Sequence, residues 1–285
     1  VGGLRTKGWI KETGENIPLV TVVTVVFNGE SALEQTILSV IGQTYDNIEY
    51  IVIDGGSTDR SMDVIKRYGD AIDLWISGPD QGIYDAMNRG IALAAGQWLN
   101  FMNANDVFCK TDTVRHVVEQ YMRSRTDNKQ FLYSDVLLSQ LTSSGETRLR
   151  TYKCDHAKRL INHQASFYLK SLHDIHGPYL VAKGITISDY LFFSLIDPAR
   201  FLKVDQPIAQ YDVTGISQSR SALEQKFIVD YLVNGMSRTS FLFFFLAYFH
   251  IRGIKSFMNL CRDFWRRARS FGSAALARYL GSPQK

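Results

Sequence analysis

Apolar and polar positions alternate in blocks, not singly, through the first third of the chain. Val20 to Val26 and Ile48 to Asp54 are continuous β-branched apolar runs, the pattern of strands buried on both faces. Between them Asn28-Gly29-Glu30-Ser31 turns the chain, and Ser31 with Glu34 has capping-box spacing for a helix to about Gly42. Ser57 or Thr58 is placed to cap a helix to about Tyr68, and Ile72 to Ile76 reads as a short strand. A helix from about Tyr84 to Ala95 and a strand from Gln97 to Met102 follow, the latter running into Asn103-Ala104-Asn105-Asp106. Four strand–helix alternations predict an α/β fold with a parallel sheet and right-handed crossovers.

Such sheets bind ligands at the carboxyl ends of their strands. Asp54 ends one of these strands, in Asp54-Gly55-Gly56-Ser57-Thr58-Asp59. Its carboxylate suits the imide N–H of uracil, and equally the N1–H and N2–H of guanine, so it implies a base without choosing one. Capping the following turn as an Asx motif is the alternative role for the same residue.

These residues, with Thr24-Val25-Val26-Phe27-Asn28-Gly29-Glu30, Asp80-Gln81-Gly82-Ile83-Tyr84-Asp85-Ala86-Met87-Asn88-Arg89-Gly90, Asn103-Ala104-Asn105-Asp106, His163-Gln164 and Ser188-Asp189-Tyr190, resemble the inverting nucleotide-sugar glycosyltransferases of family 2, over about residues 19 to 215. Within that family the order of motifs is similar to the colanic-acid and O-antigen sugar transferases of bacterial envelope polysaccharide assembly. The resemblance implies a GT-A fold, a Rossmann-like single domain that binds a nucleotide-diphosphate sugar. It places the nucleoside near Thr24, Phe27 and Glu30, although core packing is an equal alternative for Phe27.

Asp80 and Asn88 flank a helix start where Gly82 permits close approach and the helix N-terminus favours phosphate. Tyr84 and Asp85 fall on the donor side or in the scaffold, and Arg89 faces either the diphosphate or solvent. Asn103, Ala104, Asn105 and Asp106 occupy the family's metal motif, usually Asp-x-Asp, which implies that Asn103 and Ala104 contact the nucleotide sugar; here Asp106 is the one carboxylate of the four. Mg²⁺ or Mn²⁺ prefers carboxylate and phosphate oxygens and accepts an amide oxygen as a weaker ligand. The expectation is therefore a divalent cation that depends on bound nucleotide, with Asp106 and Asn105 as ligands, or else metal independence.

His163 and Gln164 match the segment that positions donor and acceptor. Asp189, at the start of an apolar helix, matches the second acidic site and is the expected catalytic base, with helix-dipole compensation as the alternative. His173 and His176 form His-x-x-His without further ligands at zinc spacing. The chain contains no Gly-x-Gly-x-x-Gly, Walker loop or Gly-x-Ser-x-Gly elbow, which removes the main support for dehydrogenase, kinase and esterase readings.

The 285 residues, 45% hydrophobic, suffice for one large α/β core with an appendage. The expected division is an N-terminal extension (1–18), a catalytic domain (19–237, with a nucleotide-sugar half 19–110 and an acceptor half 111–237) and a tail (238–285). Cys109, Cys154 and Cys261 are odd in number and widely spaced, favouring a reducing compartment over a disulfide framework. No signal-peptide pattern precedes the first strand, and Val1 in place of Met leaves a lost leader open.

Charge divides unevenly. Residues 250 to 285 hold eight Lys or Arg against Asp263, a balance of +7, so the rest carries −3 of the overall +4. The run Phe241 to Phe249 is too short to span a bilayer. After it Phe257, Leu260, Cys261, Phe264, Ala268 and Phe271 recur at helical spacing with Arg262, Arg266 and Arg269 on other faces. An amphipathic helix on an anionic membrane fits this pattern, with docking on the domain as the alternative; nucleic acid is not expected as a partner.

These readings combine into transfer of one sugar from a UDP-sugar (GDP-sugar as second choice) to an undecaprenyl-diphosphate-linked glycan at the cytoplasmic face of the bacterial inner membrane. The family's polymerase marker Gln-x-x-Arg-Trp is absent, which points to a non-processive enzyme. A catalytically silent nucleotide-sugar-binding protein of the assembly complex is one rival, motivated by the altered metal motif. A soluble transferase acting on protein or a small molecule is the other.

Overall fold

The computed structural model describes residues 1–14, 16–124, 128–141, 147–212, 220–237, 239–240 and 242. The expected tail therefore lies almost wholly outside the described residues, as do both of its aromatic and arginine patterns. Among the described residues no helix is long and apolar enough to cross a membrane.

The described residues fall into two compact units, one drawn from residues 1–175 and 196–212, the other from residues 176–195 and the described residues from 220 on. The first unit is built on a seven-stranded sheet. Its strands are β1 (Val20–Val26), β2 (Ile48–Asp54), β3 (Leu74–Ser77), β4 (Trp98–Phe101), β6 (Phe131–Tyr133), β9 (Ser166–Leu169) and β10 (Phe201–Lys203), in the order β10-β6-β9-β4-β1-β2-β3. The neighbours β4, β1, β2 and β3 are parallel, as the block pattern predicts, whereas β9 runs antiparallel to both β4 and β6. All seven residues of β1 and of β2 are buried, which is why their sequences do not alternate.

The helices α1 (Glu30–Ile41), α2 (Ser61–Arg67) and α3 (Ile83–Leu93) connect the parallel strands, and α4 (Thr113–Arg123) follows β4. A second sheet holds β5 (Val107–Phe108), β7 (Val136–Leu141), β8 (Thr147–Tyr152) and β11 (Ala209–Asp212), in the order β5-β11-β7-β8. Helix α3 lies close against β1, because a Cβ on Gly90 would stand 2.5 Å from Val23 Cγ1.

The capping box expected from Ser31 and Glu34 does not form; α1 begins at Glu30 behind Gly29 with no side-chain cap of its own. Its entry is held instead by the loop after β2. Ser57 Oγ accepts from Asn28 N at 2.8 Å, Ser61 Oγ from Gly29 N at 3.0 Å, and Asp59 Oδ2 from Glu30 N at 3.0 Å. Neither Ser57 nor Thr58 caps α2, which starts three residues later than Thr58 behind Arg60.

The first residues cover the outer edge of β3. Gly2 forms an antiparallel bridge with Trp75, and Leu4 N and Arg5 N donate to the carbonyls of Ile72 and Asp73. The Arg5 guanidinium then reaches buried Glu49 at 3.1 Å and the Leu93 carbonyl at 2.7 Å, and Lys11 pairs with buried Asp73 at 2.9 Å.

The second unit contains α6 (Ser188–Ser194) and α7 (Arg220–Leu232), packed through Ile187, Ala222 and Val229. Tyr190 donates its hydroxyl to Asp230 at 2.6 Å, and Gln225 ties the chain before α6 by accepting from Thr186 N and donating to the Gly184 carbonyl. Helix α5 (Leu172–His176) falls at the junction of the two units in sequence.

Candidate active site

Strand order reverses at β1. The chain winds β1-β2-β3 to one side and returns to place β4 on the other, which opens a crevice at the carboxyl ends of β1 and β4. The segment Asn103 to Asp106 crosses that point, anchored to β1 by Met102 N and Ala104 N donating to the carbonyls of Val23 and Val25. Thr36 of α1 fastens it from the other side: its hydroxyl donates to the Asp106 carbonyl at 2.8 Å and accepts from Asn105 N at 3.1 Å. Asn105 is exposed in the left-handed region at φ 87°, which an Asn adopts more readily than most residues.

His163 and Gln164 are brought to this segment by a polar residue inside the sheet. Asn100, fully buried in β4, donates from Nδ2 to the carbonyls of Gln164 and Ser166, both at 3.0 Å. His163 Nε2 meets Asn103 Nδ2 at 2.9 Å, and Gln164 donates to the Asp106 carboxylate. Burial pushes the Asp106 carboxyl up to about 6, against the lowering effects of the His163 charge, the Gln164 hydrogen bond and the Asn103 backbone. Asn103 Oδ1 is buried with no hydrogen-bond partner among the described residues.

The expected nucleoside corner is built differently. Asp54 is fully buried, and its carboxylate accepts from Gly56 N and Ser57 N at 3.2 Å and from Ser77 Oγ at 2.6 Å. It thus caps the turn after β2, the alternative that its position leaves open. Thr24 is also fully buried, its hydroxyl shared with Tyr50 Oη at 3.0 Å and donated to the Met102 carbonyl at 2.7 Å. Phe27 is 65% exposed, so core packing does not account for it. Glu30 is exposed and accepts from Arg60 N at 3.3 Å.

Asp80 leans over the Asp54 turn. Its Oδ1 accepts from Gly82 N at 2.8 Å, and its Oδ2 fills the place a Cβ on Gly55 would need, 2.5 Å away. Gly82 enters α3 at φ 111°, a conformation costly for any side chain. Arg89 is tied back to the Pro79 carbonyl and Asp85, each at 2.9 Å, so it braces this loop. Tyr84 is buried and Asn88 half-buried on the same helix.

Unit one therefore brings Asn103, Asp106, His163 and Gln164 into direct contact, and joins Asp54 to Asp80 through Gly55. Asp189 lies in the first turn of α6, half-buried, in the second unit. His173 is a core histidine that shares a hydrogen bond with Tyr168 Oη at 3.1 Å.

Among the described residues no group of three or more His, Cys, Asp or Glu is arranged to hold a metal ion. One carboxylate beside an unpartnered buried amide oxygen is a donor set for a cation held mainly by other oxygens, such as those of a diphosphate. Sequence reasoning missed Asn100, Thr36 and Tyr211. Asn100 carried a signal, a polar residue between Leu99 and Phe101 in a strand otherwise apolar. Tyr211 carried none; its hydroxyl donates to Asn162 Oδ1 at 3.4 Å, and burial pushes its phenol up to about 12, with the charges of Cys154, Tyr152 and Asp106 adding to the rise in that order.

The family model for glycosyl transferase family 2 matches residues 21–135. The chain is similar to an uncharacterised glycosyltransferase of Mycobacterium tuberculosis, 32% identical over 205 residues, covering 71% of this chain and 78% of the relative. It is also similar to a PGL/p-HBAD biosynthesis glycosyltransferase of Mycobacterium bovis, 31% identical over 170 residues, 57% of this chain and 63% of that one. Among solved structures, S. aureus TarS 1-349 in complex with UDP-GlcNAc matches at TM-score 0.58 and 14% identity, over 75% of this chain and 65% of that chain. The mannosyltransferase PcManGT from Pyrobaculum calidifontis, in complex with GDP-Man and Mn²⁺, matches at 0.52 and 15%, over 97% and 84%. At these identities the two structures speak for the fold alone, and that fold is GT-A. With the crevice at β1 and β4, the motif order and a relative this similar over most of its length, the chain belongs to glycosyl transferase family 2.

Proposed function

We propose that this glycosyltransferase moves one hexose from a nucleotide-diphosphate sugar to a lipid-linked saccharide by a single inverting displacement. The observation that carries the donor side is the Asp106 corner: a buried carboxylate with its charge set against burial, bordered by an amide oxygen that lacks a partner. Polar groups left in that state suit a ligand that arrives with positive charge and hydrogen bonds of its own. Asp106, with Asn103 Oδ1 and Asn105, would hold a divalent cation carried in with the diphosphate. When bound, that cation neutralises charge developing on the leaving group.

Phe27 offers an exposed ring to the nucleoside, and the capped Asp54 turn with Asp80 over Gly55 holds the floor of that corner. The solved relatives of this fold include proteins in complex with UDP-GlcNAc and with GDP-Man, which supports a nucleotide sugar without choosing its base. Asp189 is the base we assign on its match to the family's second acidic site. It removes the proton from the acceptor hydroxyl as that oxygen attacks the anomeric carbon. A peripheral site on the cytoplasmic face of the inner membrane goes with a lipid-linked acceptor, and the charge of residues 250 to 285 supports it.

The test is nucleoside diphosphate release from UDP- and GDP-sugars, with and without Mn²⁺ or Mg²⁺ and with an isoprenoid-diphosphate sugar acceptor, for wild type and Asp189→Asn. Turnover of one donor, reduced about 10²-fold or more in the variant, is the expected result. The altered metal motif favours one second reading, a silent nucleotide-sugar-binding protein. It predicts tight nucleotide binding and no turnover with any donor.

A further inference from the structure

The second sheet carries a row of side chains that begins at Asp106 and ends on an exposed strand. Strand β11 pairs antiparallel with β5, Ala209 opposite Phe108 and Gln210 opposite Val107. Continued one step beyond the paired residues, the same register would set Tyr211 opposite Asp106. Tyr211 is in turn opposite Leu138 of β7, and Leu138 opposite Arg150 of β8.

Residues directly opposite one another on a ladder point to the same face, and so do residues two apart on a strand. Asp106, Tyr211, Leu138 and Arg150 therefore share one face, and Arg148 and Tyr152 lie on it beside Arg150. The first row of that face is packed into the core at Phe108, Ala209 and Val136 and ends at half-buried Tyr152; the next row opens outward, from buried Asp106 through half-buried Tyr211 and Leu138 to exposed Arg150.

Three strand intervals separate Asp106 from Arg150, about 14 Å at ordinary sheet spacing. Lys153 and Lys203 beside this strand are both paired with Asp135, and Lys158 with Asp155. Arg148 and Arg150 make no ion pair with another described residue and are exposed. Charges on an outer strand also discourage edge-to-edge pairing, but that purpose is served from either face. Here both arginines stand on the face that leads to Asp106, while Leu149 and Thr151 take the other.

We propose that this face is the acceptor platform, with Arg148 and Arg150 binding the diphosphate of a lipid-linked acceptor, Tyr152 beside them on the same strand, and Tyr211 lying under the saccharide between that strand and the reacting centre. The inference rests on the transferase reading above and adds the acceptor's charge and the strand that reads it. Paired guanidinium groups suit a diphosphate because each presents a planar fork to two phosphate oxygens. Half-buried tyrosines present a flat apolar surface with one polar end.

Farnesyl diphosphate is a soluble probe of this subsite, titrated into the full chain with UDP, GDP and Mn²⁺ present at saturation to fill the donor side. The wild type should bind it and should not bind farnesol. The double variant R148A/R150A should bind at least about tenfold more weakly, with an unchanged melting temperature because both side chains are exposed. R148K/R150K, which keeps the charge but not the fork, should fall between the two. Equal affinity in wild type and the alanine pair, or no binding by wild type, overturns the proposal. So does an alanine pair that loses binding to phosphatidylglycerol vesicles but keeps its affinity for farnesyl diphosphate, since the arginines would then read a membrane surface. Binding needs no turnover, so failure of the transferase reading shows in nucleoside diphosphate release and failure of the platform shows here.

Discussion

Asp54 and Asp106 each follow a parallel strand of the same sheet, and their surroundings treat them in opposite ways. Asp54 accepts from two backbone amides and a serine hydroxyl and is sealed from solvent. Asp106 is nearly as deeply buried, yet its carboxyl is pushed up to about 6 and the amide oxygen of Asn103 beside it is unpartnered. A carboxylate saturated by its own turn builds structure. One whose charge is opposed by burial, despite its bonds from Gln164 and the Asn103 backbone and beside an amide oxygen without a partner among the described residues, suits a ligand that brings partners of its own.

The sharpest way to break this contrast is Asp106→Asn. Loss of about 10²- to 10³-fold in kcat/KM is expected, the size seen when one electrostatic contact to a developing charge is removed. Initial rates with the donor identified by the panel will check it, and near wild-type activity would put Asp106 outside the chemistry.

Stability should separate the pair in the other direction. Asp54→Ala strips the acceptor from three donors and should cost about 2–4 kcal/mol, read as a lower urea midpoint at unchanged slope. Folded Asp106 titrates near 6, above the ordinary carboxylate value, so the native state holds its proton through a window in which the unfolded chain has released it. Wild-type stability is then complete below about pH 4 and declines as pH rises through 6. Asp106→Asn lacks that decline. It should match wild type near pH 4 and exceed it at pH 8 by up to about 3 kcal/mol in the absence of nucleotide and metal. Urea unfolding at the two pH values measures the difference, and a variant weaker at both would show that the carboxylate is fully satisfied.

The smallest effect is expected at Phe27→Ala. Its ring is mostly exposed, so stability should hold while the KM for donor rises about tenfold, the scale of one base–aromatic contact. An unchanged KM would leave Phe27 without a role in donor binding.

The large sheet was largely legible in the sequence, and the reason is specific. β1 and β2 occupy the two runs in which every residue is apolar or buried, so burial on both faces writes itself into composition. The third expected strand, Ile72 to Ile76, is shifted to Leu74–Ser77, the span over which it pairs with β2 from Ile51 opposite Leu74 to Asp54 opposite Ser77. The second sheet was not legible. β5 has two residues, and its partners on β11 lie about a hundred positions later, so no local period marks them.

The candidate site divides in the same way. Asp106, His163 and Gln164 could be placed by motif, but the means of joining them, Asn100 inside β4, is a tertiary fact. The helix cap at Ser31 failed for a related reason: α1 starts one residue earlier, at Glu30, because Ser57, Ser61 and Asp59 of a neighbouring loop hold the amides of Asn28, Gly29 and Glu30, which local spacing does not record.

The cover that Gly2, Leu4 and Arg5 place over β3 has a practical consequence for anyone preparing this protein. A strand edge stripped of its partner is a template for the next molecule. A preparation trimmed to begin at residue 12 should lose the Arg5 and Lys11 tethers together with the bridge to Trp75, and should form concentration-dependent oligomers on a sizing column. Purification tags belong elsewhere than on a segment that serves as the sheet's own stopper.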